Sequence, residues 1–184
     1  MHTVAVAELP TLETTVLGPG RWQEISQQQI DQFAEATCDH QWIHVDPERA
    51  ASGSCGRTMA HGYLTLSLVP ALLDELLQVR DAAQAINYGL DKARFPAPAP
   101  SGSRVRLSAV VEKVEPVPSG FQVALAATVE CDAGPKPACA AQVLYRFYGR
   151  TQSTAQSTLL SAGCQQPGRV RPHETTRTRS RVRR

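Results

Sequence analysis

Between Met59 and Val79 the chain is apolar almost all round a helix: Leu64, Leu66, Leu68, Val69, Leu72, Leu73, Leu76 and Leu77 leave no wide polar face. A helix of that kind has to be covered on most sides. Pro70 removes one backbone donor inside it and should bend it. Cover is available downstream, where three segments alternate with period two. Val105, Leu107, Ala109 and Val111 alternate with Arg104, Arg106 and Ser108. Phe121, Val123, Leu125, Ala127 and Val129 alternate with Gln122 and Thr128, and Ala141, Val143, Tyr145 and Phe147 with Gln142 and Arg146. Such strands set one face on a core and the other in water. Ala85 to Phe95 reads as a further strand, closed by the rigid stretch Pro96 to Pro100. Pro118-Ser119-Gly120 and Asp132-Ala133-Gly134-Pro135 supply the turns. One buried helix followed by an antiparallel meander implies an α+β fold in which the sheet wraps the helix, because each needs the other's apolar face.

At 184 residues the chain suits one well-buried domain. Its charge divides it. Eight of the 19 basic residues, all Arg, and one of the 17 acidic residues, Glu174, lie in 150–184. Residues 1–149 therefore carry a balance of −5 and the remainder +7. The body lacks the basic excess of a nucleic-acid-binding fold. The Ser, Thr, Gln and Arg-rich stretch 150–184 holds too little apolar surface to offset ordering entropy and is expected to be a disordered basic extension to a 1–149 domain. Five cysteines (Cys38, Cys55, Cys131, Cys139, Cys164) include no C-x-x-C pair, and no Lys or Arg precedes Arg21. Both features fit free thiols in a reducing, cytoplasmic setting. The longest apolar stretch, Tyr63 to Leu73, falls short of the roughly 20 residues a bilayer needs.

Chemistry concentrates ahead of the buried helix. Ser26 caps an amphipathic helix in which Ile30, Phe33, Ala34 and Thr37 share a face. The stretch from Cys38 to Gly56 has no period and at most one short helix after Pro47. It holds Asp39, His40, His44 and Asp46, and His61 follows. Asp39 and His44 can converge on one small volume and share a water, one removing its proton and the other delivering a proton elsewhere. Beside an apolar pocket, desolvation would raise the Asp pKa and leave the His neutral near pH 7. An Asp capping a helix next to a surface His fits the spacing equally well. A metal site would use His40 and His44, with Cys38, Asp39, Cys55 and His61 as further ligands, but there is no second closely spaced pair of the kind zinc sites show. Gly62 stands where the buried helix begins, and its N–H is a candidate donor to a polarised carbonyl oxygen. A glycine needed only for packing would look the same.

Three runs together carry a family resemblance. Phe33 to Pro47, with Asp39 and His44, resembles the hydratase-2 motif of the MaoC-like dehydratases, the (R)-specific enoyl-CoA hydratases. Met59-Ala60-His61-Gly62-Tyr63-Leu64-Thr65 is similar to that family's I-A-H-G segment, and Arg94 to Gly102 to its R-F-x-x-P-V-x-x-G hairpin. The three occur in family order over about residues 10–149, and the chain looks like the single-domain, nodulation protein N-like form. The resemblance implies a hot-dog fold, a homodimer, and an acyl-CoA thioester substrate with no metal or redox cofactor. It implies syn hydration of a trans-2-enoyl-CoA to an (R)-3-hydroxyacyl-CoA, with Asp39 and His44 holding the water and Gly62 N–H polarising the thioester. Ala60 and His61 would border the thioester; Asn87, Tyr88 and Arg94 would line the acyl-CoA tunnel, Arg94 through a phosphate. Pocket depth would depend on which of Trp42, Tyr63, Leu64 and Leu66 point inward.

Departures from the pattern are Cys38 for the usual Gly, Gln41 for Asn, Trp42 for Pro, and the basic extension. Gln41 could still help hold the water with a longer reach, so these changes bear on rate and substrate size rather than reaction class. Two other activities fit the fold: an acyl-CoA thioesterase, and a non-catalytic acyl-CoA-binding protein that engages nucleic acid through 150–184.

Overall fold

The computed structural model describes residues 1–53 and 55–149; the basic stretch 150–184 lies outside them. Strand β1 (His2–Val4) leads through a 3-10 turn (Val6–Leu12) to β2 (Val16–Leu17) and β3 (Gln23–Glu24). Five helices follow: α1 (Gln27–Thr37), α2 (Trp42–Val45), α3 (Pro47–Ala51), α4 (Gly62–Ser67) and α5 (Val69–Asp74). The chain then runs through β4 (Leu77–Val79), β5 (Ala82–Arg94), β6 (Arg104–Val117), β7 (Gly120–Cys131) and β8 (Cys139–Gly149). The main sheet has the order β2-β6-β7-β8-β5, with β3 also on β6, and every pairing in it is antiparallel.

This sheet curls around α4 and α5 in a hot-dog arrangement. The inward residues of the period-two segments, Val105, Leu107, Val111, Leu125 and Val129, are at most 1% exposed and share one core with Val69, Leu72, Leu73 and Leu76. Outward residues pair across the strands, Arg106 with Glu130 and Arg146 with Gln122. The α1 cap is a reciprocal box: Gln29 N–H donates to Ser26 Oγ and Ser26 N–H donates to Gln29 Oε1.

The buried helix differs from its sequence expectation at both ends and in its cover: it begins only at Gly62, and Met59 instead bridges to Pro100. It ends at Asp74, and Leu77–Val79 instead forms β4, paired in parallel with β1. The N-terminal strand offers backbone partners there that the helix period cannot reveal. The helix is interrupted at Leu68, between α4 and α5, where Pro70 has no N–H for the Leu66 carbonyl. Cover is also incomplete, since Tyr63, Ser67, Ala71 and Asp74 form an exposed stripe at helical spacing. Among the described residues no helix is long and apolar enough to cross a membrane, and the four cysteines Cys38, Cys55, Cys131 and Cys139 are free.

Candidate active site

The aperiodic stretch after α1 turns on Cys38, which closes the helix in the left-handed conformation (φ 58°, ψ 24°). That geometry points the chain at Asp39 and then into α2, a four-residue helix absent from the sequence reading that carries His44. A β-carbon in this region costs about 1 kcal/mol that glycine avoids, partly offset by the entropy glycine loses on folding. Cys38→Gly is therefore expected to raise stability by up to about 0.5 kcal/mol, read from the urea midpoint at unchanged m.

His44 is buried, and its Nδ1–H donates to the Met59 carbonyl at 2.7 Å. That bond leaves Nε2 as the bare acceptor. Burial pushes the His44 pKa below the usual histidine value; the Met59 hydrogen bond opposes this, His61 adds to it and Asp39 opposes it. Asp39 does not meet the expectation of a desolvated carboxylate: its side chain is 55% exposed in the single chain, on the open side of the turn. One ring nitrogen of His44 and one Asp39 oxygen nevertheless lie within 4.8 Å. A single water can span that separation with two hydrogen bonds of about 2.8 Å.

His61, the residue before α4, completes the cluster. It is 3% exposed, donates from Nε2–H to the Asp39 backbone carbonyl at 3.0 Å, and stacks on His44 with ring centroids 3.7 Å apart. Asp39, His44 and His61 thus form a potential metal triad by proximity alone. Their orientation does not fit an ion. The two imidazole planes are inclined by only 23°, so their in-plane lone pairs run almost side by side and cannot meet at one centre about 2.0–2.1 Å from each. One nitrogen on each ring is also engaged with a carbonyl.

Gly62 is the first residue of α4, so its N–H has no partner within the helix. A β-carbon there would lie 2.7–2.9 Å from the Phe95 ring, so packing against Phe95 already accounts for a glycine at this position. Tyr63 is exposed and meets Phe95 edge-on. Ala60 is buried and its N–H donates to the Ala99 carbonyl, while exposed Gln41 precedes α2 and its carbonyl accepts from His44 N–H. Asn87, on β5, lines a cavity of about 370 Å³ together with Leu66, Ser67, Pro70 and Tyr145. Tyr88 is not brought to that cavity. It falls at a β-bulge between Asn87 and Gly89, and its ring is stacked with the Arg146 guanidinium at 3.3 Å. Arg94 is exposed at the end of β5, with Nη1 bonded to the Ala93 carbonyl.

Sequence reasoning missed two supports. Gln27, in the first turn of α1, donates to the His44 carbonyl at 2.8 Å and is hydrogen-bonded to the buried Thr58 hydroxyl. A glutamine on a surface helix gives no sign of this. Phe95 over Gly62 was visible only as a motif letter.

Comparison with known proteins follows the same outline. A family model described as a MaoC like domain matches residues 10–131. The 3-hydroxyacyl-thioester dehydratase Z of Mycobacterium tuberculosis is 46% identical over 144 residues, which is 78% of this chain and 95% of that protein. Nodulation protein N of Rhizobium leguminosarum bv. viciae is 47% identical over 108 residues, 58% of this chain and 67% of that protein. The unliganded R-hydratase PhaJ1 of Pseudomonas aeruginosa superposes with a TM-score of 0.58 at 23% identity, covering 80% of this chain and 94% of that one; this likeness speaks to the fold.

Proposed function

From the premise that the chain belongs to the MaoC-like dehydratase family, we propose that it is a hydratase/dehydratase of 3-hydroxyacyl thioesters. The direction and substrate proposed are hydration of a trans-2-enoyl-CoA to an (R)-3-hydroxyacyl-CoA. The observation that carries this reading is the placement of the Asp39 carboxylate and His44 within reach of one water, beside His61, the residue that precedes α4.

The pair takes a proton from the water as its oxygen bonds to C3. The C2=C3 electrons move toward the thioester, whose oxygen gains negative charge, and Gly62 N–H donates to that oxygen. The pair then returns a proton to C2 on the same face. The acid and base roles are shared between Asp39 and His44. No step calls for a metal or redox cofactor. The long edge strand β5, paired among the described residues only with β8 and carrying exposed Tyr88 and Leu90, offers the surface through which two copies join as a homodimer.

The test is loss of enoyl-thioester absorbance with crotonyl-CoA and longer trans-2-enoyl-CoAs, with chiral analysis of the product and a thiol reagent in parallel. Formation of (R)-3-hydroxyacyl-CoA without thiol release supports the reading. Thiol release would transfer the assignment to a thioesterase, and binding without turnover would end both.

Acid dependence supplies a second check. Bare His44 is the base form, so activity is lost as pH falls and the ring protonates. Because burial lowers its pKa, the acid limb of kcat/KM is expected below pH 6.5. Stability follows the same sign. The unfolded chain takes up this proton first, so the contribution is complete above about pH 6.5 and declines as pH falls through the folded value. An acid limb above pH 7 would contradict the role of His44.

A further inference from the structure

We propose that His61 is a positioning residue for the Asp39–His44 pair: it pins Asp39 through that residue's carbonyl and fixes the orientation of the His44 ring by stacking on it. The inference rests on the hydratase reading above.

Three observations carry it. First, the Nε2–H to Asp39 carbonyl bond joins the residue ahead of α4 to the turn after α1 across 22 positions. The turn it holds follows left-handed Cys38, and Asp39 itself is largely exposed, so few other contacts tie this carbonyl down. Second, the His61 ring lies between Phe33 of α1, at 5.0 Å, and His44, at 3.7 Å. The His44 ring is thereby held between the Met59 carbonyl on its edge and an aromatic face. Third, His61 Nδ1 is buried and has no hydrogen-bond partner among the described residues. Leaving a polar atom so costs about 1–3 kcal/mol, which an apolar side chain of similar size would not incur. A polar ring is kept at a position where packing alone would favour a hydrocarbon, and its one satisfied nitrogen is the one that reaches Asp39.

The geometry also sets the tautomers. A carbonyl partner requires Nε2–H on His61, and another requires Nδ1–H on His44. The titratable groups facing the His61 ring are the Asp39 carboxylate, 4.0 Å from Nε2, and His44. The residue from α1 in contact, Phe33, is uncharged, and Glu35 on the same helix pairs instead with His40 at 3.8 Å. His61 is among the groups that lower the His44 pKa, so its presence favours the bare form that accepts a proton.

Two substitutions separate the contributions. His61→Phe keeps a ring on His44 and removes the donor; His61→Gln keeps a donor and removes the ring. With crotonyl-CoA, His61→Phe is expected to lower kcat by about 30- to 100-fold with KM within about twofold, the signature of a displaced catalytic group rather than lost binding. His61→Gln should recover most of that loss and move the acid limb of kcat/KM upward, because His61 no longer lowers the His44 pKa. Long-range nitrogen–proton correlation spectra of the wild-type protein should show Nε2–H on His61 and Nδ1–H on His44. Wild-type kcat and pH profile in both variants would overturn the proposal, as would a proton on His61 Nδ1 in the spectra. If His61→Phe fails to fold, His61→Gln and the tautomers still decide it. If the wild-type protein hydrates no enoyl thioester, the hydratase reading fails instead, and the spectra still decide whether His61 is bonded as described.

Discussion

His44→Gln is expected to lower kcat for enoyl-CoA hydration by about a thousandfold while KM changes little, as loss of one member of an acid–base pair does. Glutamine can still donate to the Met59 carbonyl that holds the imidazole at 2.7 Å, so the fold of α2 should survive. What it cannot do is take a proton. Asp39→Asn should bring a loss of the same order, because the carboxylate sits within 4.8 Å of the ring and the two act on one water. The double variant should be little worse than either single one, since groups that act as a unit do not contribute additively. The measurement is the initial rate of absorbance loss with crotonyl-CoA, with circular dichroism to establish folding. Residual activity within tenfold of wild type in either single variant would remove that residue from the chemistry.

Gly120→Ala is expected to cost about 3 kcal/mol or more, through backbone rather than chemistry. Gly120 opens β7 directly after the Pro118-Ser119 turn, with Ser119 at φ 65°. An added β-carbon would stand 2.0 Å from the Phe147 carbonyl oxygen, well inside van der Waals contact. No side-chain rotation relieves this, because the obstacle is the main chain of β8. Relief requires moving β8 away from β7 along a register that runs from Gly120–Tyr148 to Val129–Cys139. Urea unfolding should show a lower midpoint. Activity per folded molecule should stay close to wild type, because the substitution lies in the sheet, away from Asp39 and His44. A loss under 1 kcal/mol would mean that the β7–β8 pairing is looser than this contact implies.

Much of the architecture was legible because it depends on local periodicity. The inward residues of β6, β7 and β8 alternate in the chain as they do in space, and a strand that alternates has only one face to bury. The Ser26 cap was readable for the same reason, since it bonds to an N–H three residues ahead; the Asp46 cap on α3 appears only in the structure. The helix end was not readable. Leu77–Val79 is as apolar as the helix before it, and only its pairing with His2–Val4, 75 positions away, makes it a strand. The Asp39–His44 spacing pointed to a shared water, yet the placement of Asp39 in solvent had no sequence signal.

Residue types and their period were sufficient for a sheet around a buried helix, for the turn that carries Asp39 and for the glycine at the start of α4. Which nitrogen of His44 stays bare, that His61 stacks on it, that Gln27 braces its backbone and that Tyr88 turns away from the cavity were decided by contacts between elements. The physical reason is range. Alternation, capping and turn chemistry act within a few residues, whereas the site is held by bonds spanning 15, 17 and 22 positions, whose geometry exists only once the elements have packed.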